Sequence, residues 1–202
     1  MQKTKEMLGL KLPTDPRWVN IVEKNIEEIL TDHAYCEQKA ASNAISVIVK
    51  FSHYPDLVQA MTAIAQEEMQ HFGMVHEKIL ERGMRLGFER KDPYVNDLAD
   101  YLKERNAGGS HENQFVNRMM FAAMIEARSC ERFRILSEEI NDEDLRTFYR
   151  SLMESEARHY TTFLNFARKY GKGIDVEKRW QEFLDFEATL MDKYGNRETI
   201  HG

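Results

Sequence analysis

Apolar residues recur along most of this chain at intervals of three and four, the mark of helices that bury one face. From Pro55 to Arg82 the stripe runs through Leu57, Met61, Ile64, Ala65, Phe72, Val75 and Ile79; from Asp142 to Tyr170 it runs through Leu145, Phe148, Tyr149, Leu152, Phe163 and Phe166. Residues 113–138 set Met119, Ala122, Ala123, Cys130 and Phe133 on one side, and residues 31–51 carry Ala34, Ala41, Ala44 and Ile48 behind Leu30. The pattern predicts four core helices over 31–51, 55–82, 113–138 and 142–170. Pro13 and Pro16 precede the helical region, Pro55 opens a helix and Pro93 follows Asp92, a fitting N-cap. Proline is tolerated in a first helical turn and excluded from helix interiors, so these positions are boundaries.

The connections order the helices. Ser52-His53-Tyr54 and Ile140-Asn141 are short enough to make each flanking pair an antiparallel hairpin, while a long segment with Gly83, Gly87, a short helix from Pro93 to Arg105 and the loop Gly108-Gly109-Ser110 joins the pairs. Two hairpins linked by one long crossover describe an all-α, ferritin-like four-helix bundle, expected here as a single domain over residues 1–202. Residues 18–30 read as helix that either continues into the first core helix or breaks near Thr31. Residues 174–194, with Trp180, Phe183, Leu184 and Phe186, read as an accessory C-terminal helix.

Composition narrows the function. The 202 residues are 42% hydrophobic and 31% charged, with a net charge of -6, which argues against a general polyanion binder but leaves room for a local basic patch. No apolar stretch is long enough to span a bilayer, and Met1 to Leu12 lacks the apolar core of a targeting segment, so a cytoplasmic protein is expected. Two cysteines, Cys36 and Cys130, do not make a disulfide framework or an iron–sulfur site.

Glu-x-x-His occurs at Glu68–His71 and Glu156–His159, in both cases on an apolar stripe, where residues three apart share a helix face. A third match, Glu198–His201, sits in a polar tail and reads as coincidence. Glu37 stands 31 residues before Glu68, and Glu126 stands 30 before Glu156, so each hairpin repeats one carboxylate followed by Glu-x-x-His. Four buried carboxylates cannot all stay ionised without compensating cations. Two divalent ions balance them, with both imidazoles as neutral ligands, the arrangement of ferritin-like di-iron or di-manganese proteins. The candidate ligands are therefore Glu37, Glu68, His71, Glu126, Glu156 and His159. Glu131 competes with Glu126 but shares a side with Glu138 and is expected in solvent.

Other residues carry plainer readings. His33 is expected at the edge of its helix and His76 at the surface; Met61, Met74, Met119, Met120 and Met124 read as core packing. Cys36 and Cys130 read as small buried hydrophobes. Tyr35, Tyr149 and Tyr160 lie near the ligand level without an assigned redox role. Neither a glycine-rich phosphate loop nor a nucleophile triad is visible.

The stretches Asp32 to Ser42, Glu67 to Phe72, Ile125 to Phe133 (IEARSCERF) and Phe148 to Leu152 with Ser155 to Tyr160 (SEARHY) resemble the MiaE family of tRNA hydroxylases, over about residues 8 to 170. The resemblance implies a non-haem di-iron monooxygenase that hydroxylates the isopentenyl group of 2-methylthio-N6-isopentenyladenosine in tRNA. It implies two iron ions on the six residues named above, with dioxygen and a separate electron-donating reductase. Manganese, iron storage, peroxide removal and an oxygenase for a small apolar substrate remain open on the residues alone. For RNA contact the candidates are Lys78, Arg82, Arg85, Arg90 and Lys91, and a second cluster of Arg168, Lys169, Lys172, Lys178 and Arg179.

Overall fold

The computed structural model describes residues 8–105 and 109–201, which form seven helices and no strand: α1 (Trp18–Lys24), α2 (Ile26–Lys50), α3 (Pro55–Glu81), α4 (Pro93–Glu104), α5 (His111–Glu139), α6 (Glu143–Tyr170) and α7 (Val176–Tyr194). Residues 1–7 of the segment expected to lack an apolar targeting core, and Gly108 of the expected loop, lie outside the described residues. The chain falls into two compact units. One comprises Lys24–Lys91 with Glu198–Ile200; the other comprises the described parts of Met1–Glu23, Asp92–Arg197 and His201–Gly202.

In the first unit α2 and α3 form the expected hairpin around Phe51 to Tyr54. The helix break falls at Asn25, not near Thr31: Asn25 takes φ -135°, ψ 39°, and Glu27 and Glu28 then occupy the first turn of α2, where carboxylates complement the helix dipole. Pro55 opens α3. Burial follows the predicted stripe, with Ala34, Ala41 and Ala44 facing inward from α2 and Leu57, Met61, Ile64, Val75 and Ile79 from α3. Val47 takes the place predicted for Ile48, and Ala65 and Phe72 are only half-buried.

In the second unit α5 and α6 form the other hairpin. Ile140 and Asn141 make the turn, and the Asp142 carboxylate accepts from Leu145 N at 3.0 Å. Helix α7 covers the predicted accessory segment, and Tyr101 of α4 stacks on its Phe186 at 4.0 Å. The one-sided stripe predicted for α5 is a correction to make: 19 of its 29 residues are buried against 10 of 28 in α6, so α5 is enclosed on nearly every side.

That enclosure requires the charges of α5 to be neutralised locally. Glu131, expected in solvent, is 2% exposed. It accepts from Thr14 N at 3.0 Å, Thr14 Oγ1 at 2.7 Å and Arg128 Nη1 at 3.0 Å. Arg128 donates twice to Glu187 Oε1 of α7, at 3.0 and 2.6 Å, and Tyr94 of α4 donates to the same oxygen at 2.9 Å. Arg132 donates to Gly195 O at 2.8 Å and lies over the Trp18 ring at 4.2 Å. Two guanidinium and two carboxylate groups thus tie the N-terminal segment, α4, α5 and α7 together. Burial alone would pull the Arg128 proton affinity down, but the Glu187 and Glu131 charges raise it above its ordinary value. Arg132, buried and repelled by Arg128, is lowered to about 10.

Removing one member of a buried, paired set strands the other. Glu187→Ala should lower stability by about 3–5 kcal/mol in urea denaturation, and Glu187→Gln by less. A loss below about 1 kcal/mol for Glu187→Ala would show that the network is not structural.

Candidate metal centre

Each hairpin gathers its own three predicted residues. In the first unit, Glu37 on α2 meets Glu68 and His71 on α3, all buried. His71 Nδ1 lies 3.6 Å from Glu37 Oε2 and 3.4 Å from Glu68 Oε2, and one donor atom from each of the three falls within 4.8 Å of the others. In the second unit, Glu126 on α5 meets Glu156 and His159 on α6. His159 Nδ1 is 3.9 Å from Glu126 Oε2, and these three donor sets also converge within 4.8 Å. The i, i+3 spacing of each Glu-x-x-His pair sets carboxylate and imidazole one turn apart on the same face, opposite the single carboxylate of the preceding helix.

The electrostatics suit a cation. Burial pushes the Glu37 carboxyl well above its ordinary value; the neighbouring Glu68 charge adds to the rise, while His71 opposes it. A carboxylate that water no longer stabilises takes up a proton or a metal ion. The donor atoms of each set also fit: ligands bound at about 2.1 Å to one divalent ion stand about 3–4 Å apart, close to the observed 3.4–3.9 Å. Two carboxylates and one imidazole per hairpin are borderline-hard oxygen and nitrogen donors that take iron or manganese. The alternative α5 carboxylate, Glu131, has both oxygens engaged by Thr14 and Arg128.

Several expectations need correction. His33 is fully buried, not at an edge, and its Nε2 lies 2.6 Å from Glu37 Oε1. The signal was present, since His33 and Glu37 are four apart on the face that carries the triad. His201 is buried too, with Nε2 3.0 Å from Ser129 Oγ and Nδ1 3.6 Å from Asp92 Oδ2, so the C-terminal tail is not the polar appendage its composition suggested. Met74 is an exposed side chain rather than core, whereas Met61, Met119, Met120 and Met124 are fully buried. His76 is half-buried, parallel to Phe72 at 6.2 Å. The Cys130 thiol is buried, and burial together with the Glu156 charge pushes it up to about 12, leaving it unreactive. Cys36 is half-buried. Tyr35 and Tyr160 donate to Gly87 O and Leu8 O, each at 3.0 Å, and Tyr149 is fully buried.

The basic clusters are partly consumed by the protein itself. Arg168 pairs with Glu177 at 2.6 Å, and Arg179 donates to Asn117 Oδ1 at 3.1 Å and Asn113 Oδ1 at 2.9 Å. Arg90 reaches Glu28 O and Glu198 O at 3.4 and 2.5 Å, whereas Arg85 and Lys91 are exposed.

The Glu37 environment sets a pH dependence. Its folded-state proton affinity is raised above the ordinary 4.5, so the stability tied to that proton is fully present below the unfolded value and is lost as pH rises through the folded one. In chelator-treated protein, the stability of Glu37→Gln relative to wild type should therefore increase as pH rises above the ordinary carboxylate range, by up to about 1.4 kcal/mol per pH unit. Urea titrations at rising pH giving a constant difference would contradict it.

The chain is similar to known proteins. The sequence model of the family described as tRNA-(MS[2]IO[6]A)-hydroxylase (MiaE) matches residues 2–202. Two curated relatives are each named tRNA 2-(methylsulfanyl)-N(6)-isopentenyladenosine(37) hydroxylase. The one from Pseudomonas putida is 38% identical over 170 residues, covering 84% of this chain and 80% of the relative. The one from Salmonella typhimurium is 30% identical over 234 aligned positions, covering 90% and 83%. A solved structure, described as protein 43 with aldehyde deformylating oxygenase activity from Synechococcus, superposes with a TM-score of 0.86 at 28% identity, over 96% of this chain and 95% of that one. The fold is all-α and ferritin-like. With its whole length matched, and with relatives of that name at 38% and 30% identity, this chain belongs to the MiaE family of tRNA hydroxylases.

Proposed function

We propose that this protein hydroxylates the isopentenyl group of 2-methylthio-N6-isopentenyladenosine in tRNA at a di-iron centre held by Glu37, Glu68, His71, Glu126, Glu156 and His159. The observation that carries the reading is the family match over residues 2–202, within which both hairpins bury the same set of two carboxylates and one imidazole. The reaction consumes dioxygen, two electrons and two protons: one oxygen atom enters the carbon–hydrogen bond and the other leaves as water. Two iron ions supply the dioxygen and electron chemistry, which Glu and His side chains lack.

The chain's own residues do the rest. In each hairpin two carboxylates would offset the two positive charges of one ferrous ion, leaving that loaded set neutral in a setting where net charge is costly. Glu37, which holds a proton when no cation faces it, releases that proton on loading, and metal uptake is favoured as pH rises. His33, 2.6 Å from Glu37 Oε1, fixes the rotamer of that carboxylate and leaves Oε2 toward His71. The two cysteines and the lack of a nucleotide-binding fingerprint imply that the electrons come from a separate reductase. A second reading, an oxygenase for a small apolar substrate, is favoured by the name of the structurally similar Synechococcus protein. Among the described residues no helix is long and apolar enough to cross a membrane, which fits either substrate.

The deciding experiment is nucleoside mass spectrometry of tRNA from cells that make the isopentenyl nucleoside but lack a hydroxylase. Wild-type protein should yield the hydroxylated nucleoside and Glu126→Ala should not; no hydroxylated product with wild type would overturn the substrate assignment. Metal analysis of the same proteins should give two irons per wild-type chain, fewer in Glu126→Ala, and an unchanged content in the folded fraction of Glu131→Ala. Manganese in place of iron would revise the cofactor. His33→Ala should weaken iron binding by roughly 10–100-fold in chelator competition, as loss of a partner that orients a ligand does.

A further inference from the structure

The segment after α3 is an extended strap rather than a loose loop. Gly83 turns the chain at φ +67°, and bonds from Gly83 N to Leu80 O and from Met84 N to Ile79 O close α3. The strap then runs along one ridge of α2. Arg85 N donates to Glu27 Oε1 at 3.4 Å, Gly87 N to Thr31 Oγ1 at 3.3 Å and Tyr35 Oη to Gly87 O at 3.0 Å, while Lys39 pairs with Glu89 at 2.9 Å. The anchors on α2, at 27, 31, 35 and 39, are spaced by four and form a single row on the helix surface. At Gly87 the approach is so close that a Cβ would stand 3.2 Å from Thr31 Cγ2.

Phe88 sits between the two tightest of these anchors and is 94% exposed, the most exposed large apolar side chain among the described residues. Gly87 is held to α2 by two hydrogen bonds and the Glu89 side chain pairs with Lys39, so the ring is carried on a defined stretch of backbone. Three residues before it and three after it stand Arg85 and Lys91, both exposed and without an ion pair among the described residues. Arg90, by contrast, is tied to Glu28 and Glu198. An exposed aromatic ring with two available cations within three residues along the same strap offers what an unpaired base and its neighbouring phosphates require.

We propose that Phe88 is a stacking platform for an unpaired base of the RNA substrate, with Arg85 and Lys91 contacting the flanking phosphates. This rests on the tRNA reading above and adds to it the residues that hold the substrate. The neighbouring exposed apolar groups Ile45 and Val49 lie on α2 outside the strap and are not part of it.

The test uses the iron-loaded full chain and a fluorescein-labelled anticodon stem-loop RNA. Phe88→Ala should weaken binding by about 5- to 100-fold, the range for loss of one base–aromatic stack, without changing the salt dependence. Arg85→Ala and Lys91→Ala should each make the slope of log affinity against log salt shallower by about 0.7–0.9. Phe88→Trp should retain affinity, and its added emission, read against the buried Trp18 and Trp180, should be quenched by the stem-loop but not by a fully paired duplex. Phe88→Leu separates stacking from plain apolar contact: affinity equal to wild type overturns the stack. Wild-type affinity in Phe88→Ala, with hydroxylation intact, likewise overturns the proposal and leaves the tRNA reading standing. Slower reduction by the reductase in Phe88→Ala, with RNA affinity unchanged, would assign the ring to a protein partner and also overturn it. A wild-type protein that neither binds nor hydroxylates tRNA would sink both readings.

Discussion

A carboxylate removed from water must meet a positive charge or take up a proton, and the placement of nearly every functional group in this protein follows from that constraint. Two sets of carboxylates answer it differently. Around α5, Glu131 and Glu187 are balanced by Arg128 and Arg132 within a network that also satisfies Thr14 and Tyr94. Glu37 instead lies against Glu68, His71 and His33 and holds its proton tightly. The first solution is permanent and structural. The second is conditional, because a proton on a carboxylate is readily exchanged for a metal ion.

Helix α5 carries both solutions on one backbone. Glu126 faces Glu156 and His159, while Arg128, Glu131 and Arg132, two to six residues further on, face the N-terminal segment, α4 and α7. The accessory elements therefore do more than cover an apolar surface. By clamping Arg128 and Arg132 they fix the rotation of α5 about its axis, and that rotation aims Glu126. A neutral, well-packed apolar contact would bury as much area but would specify the rotation less sharply, since apolar contact has no direction and a bidentate guanidinium contact does.

The hairpins, the proline boundaries and the pairing of each upstream carboxylate with its Glu-x-x-His were legible because they depend on periodicity and local spacing. What escaped the sequence depends on what a helix packs against. The single-stripe reading placed Glu131 in solvent because an amphipathic helix has a polar side, but α5 is enclosed and its polar side meets other charged groups. His33 was read as an edge residue for the same reason, although its spacing from Glu37 carried the right signal. The buried tail at Ile200 and His201 could not be read at all: its partners, Asp32 for the Ile200 amide and Ser129 and Asp92 for His201, are far away in sequence.

Helix α2 shows how a site and a contact surface are held in register. His33 and Glu37 lie on one side of it; the row of Glu27, Thr31, Tyr35 and Lys39, which hold the strap bearing Phe88, is centred about 160° around the axis, since successive residues advance by about 100°. All of these residues belong to one compact unit. A shift of α2 along or about its axis would displace the Glu37 carboxylate and the exposed ring together, so their separation is set by the diameter of one helix rather than by a flexible loop. An enzyme that must bring one atom of a large polyanion to a buried centre needs a fixed distance of this kind between the contact that grips the substrate and the group that reacts with it.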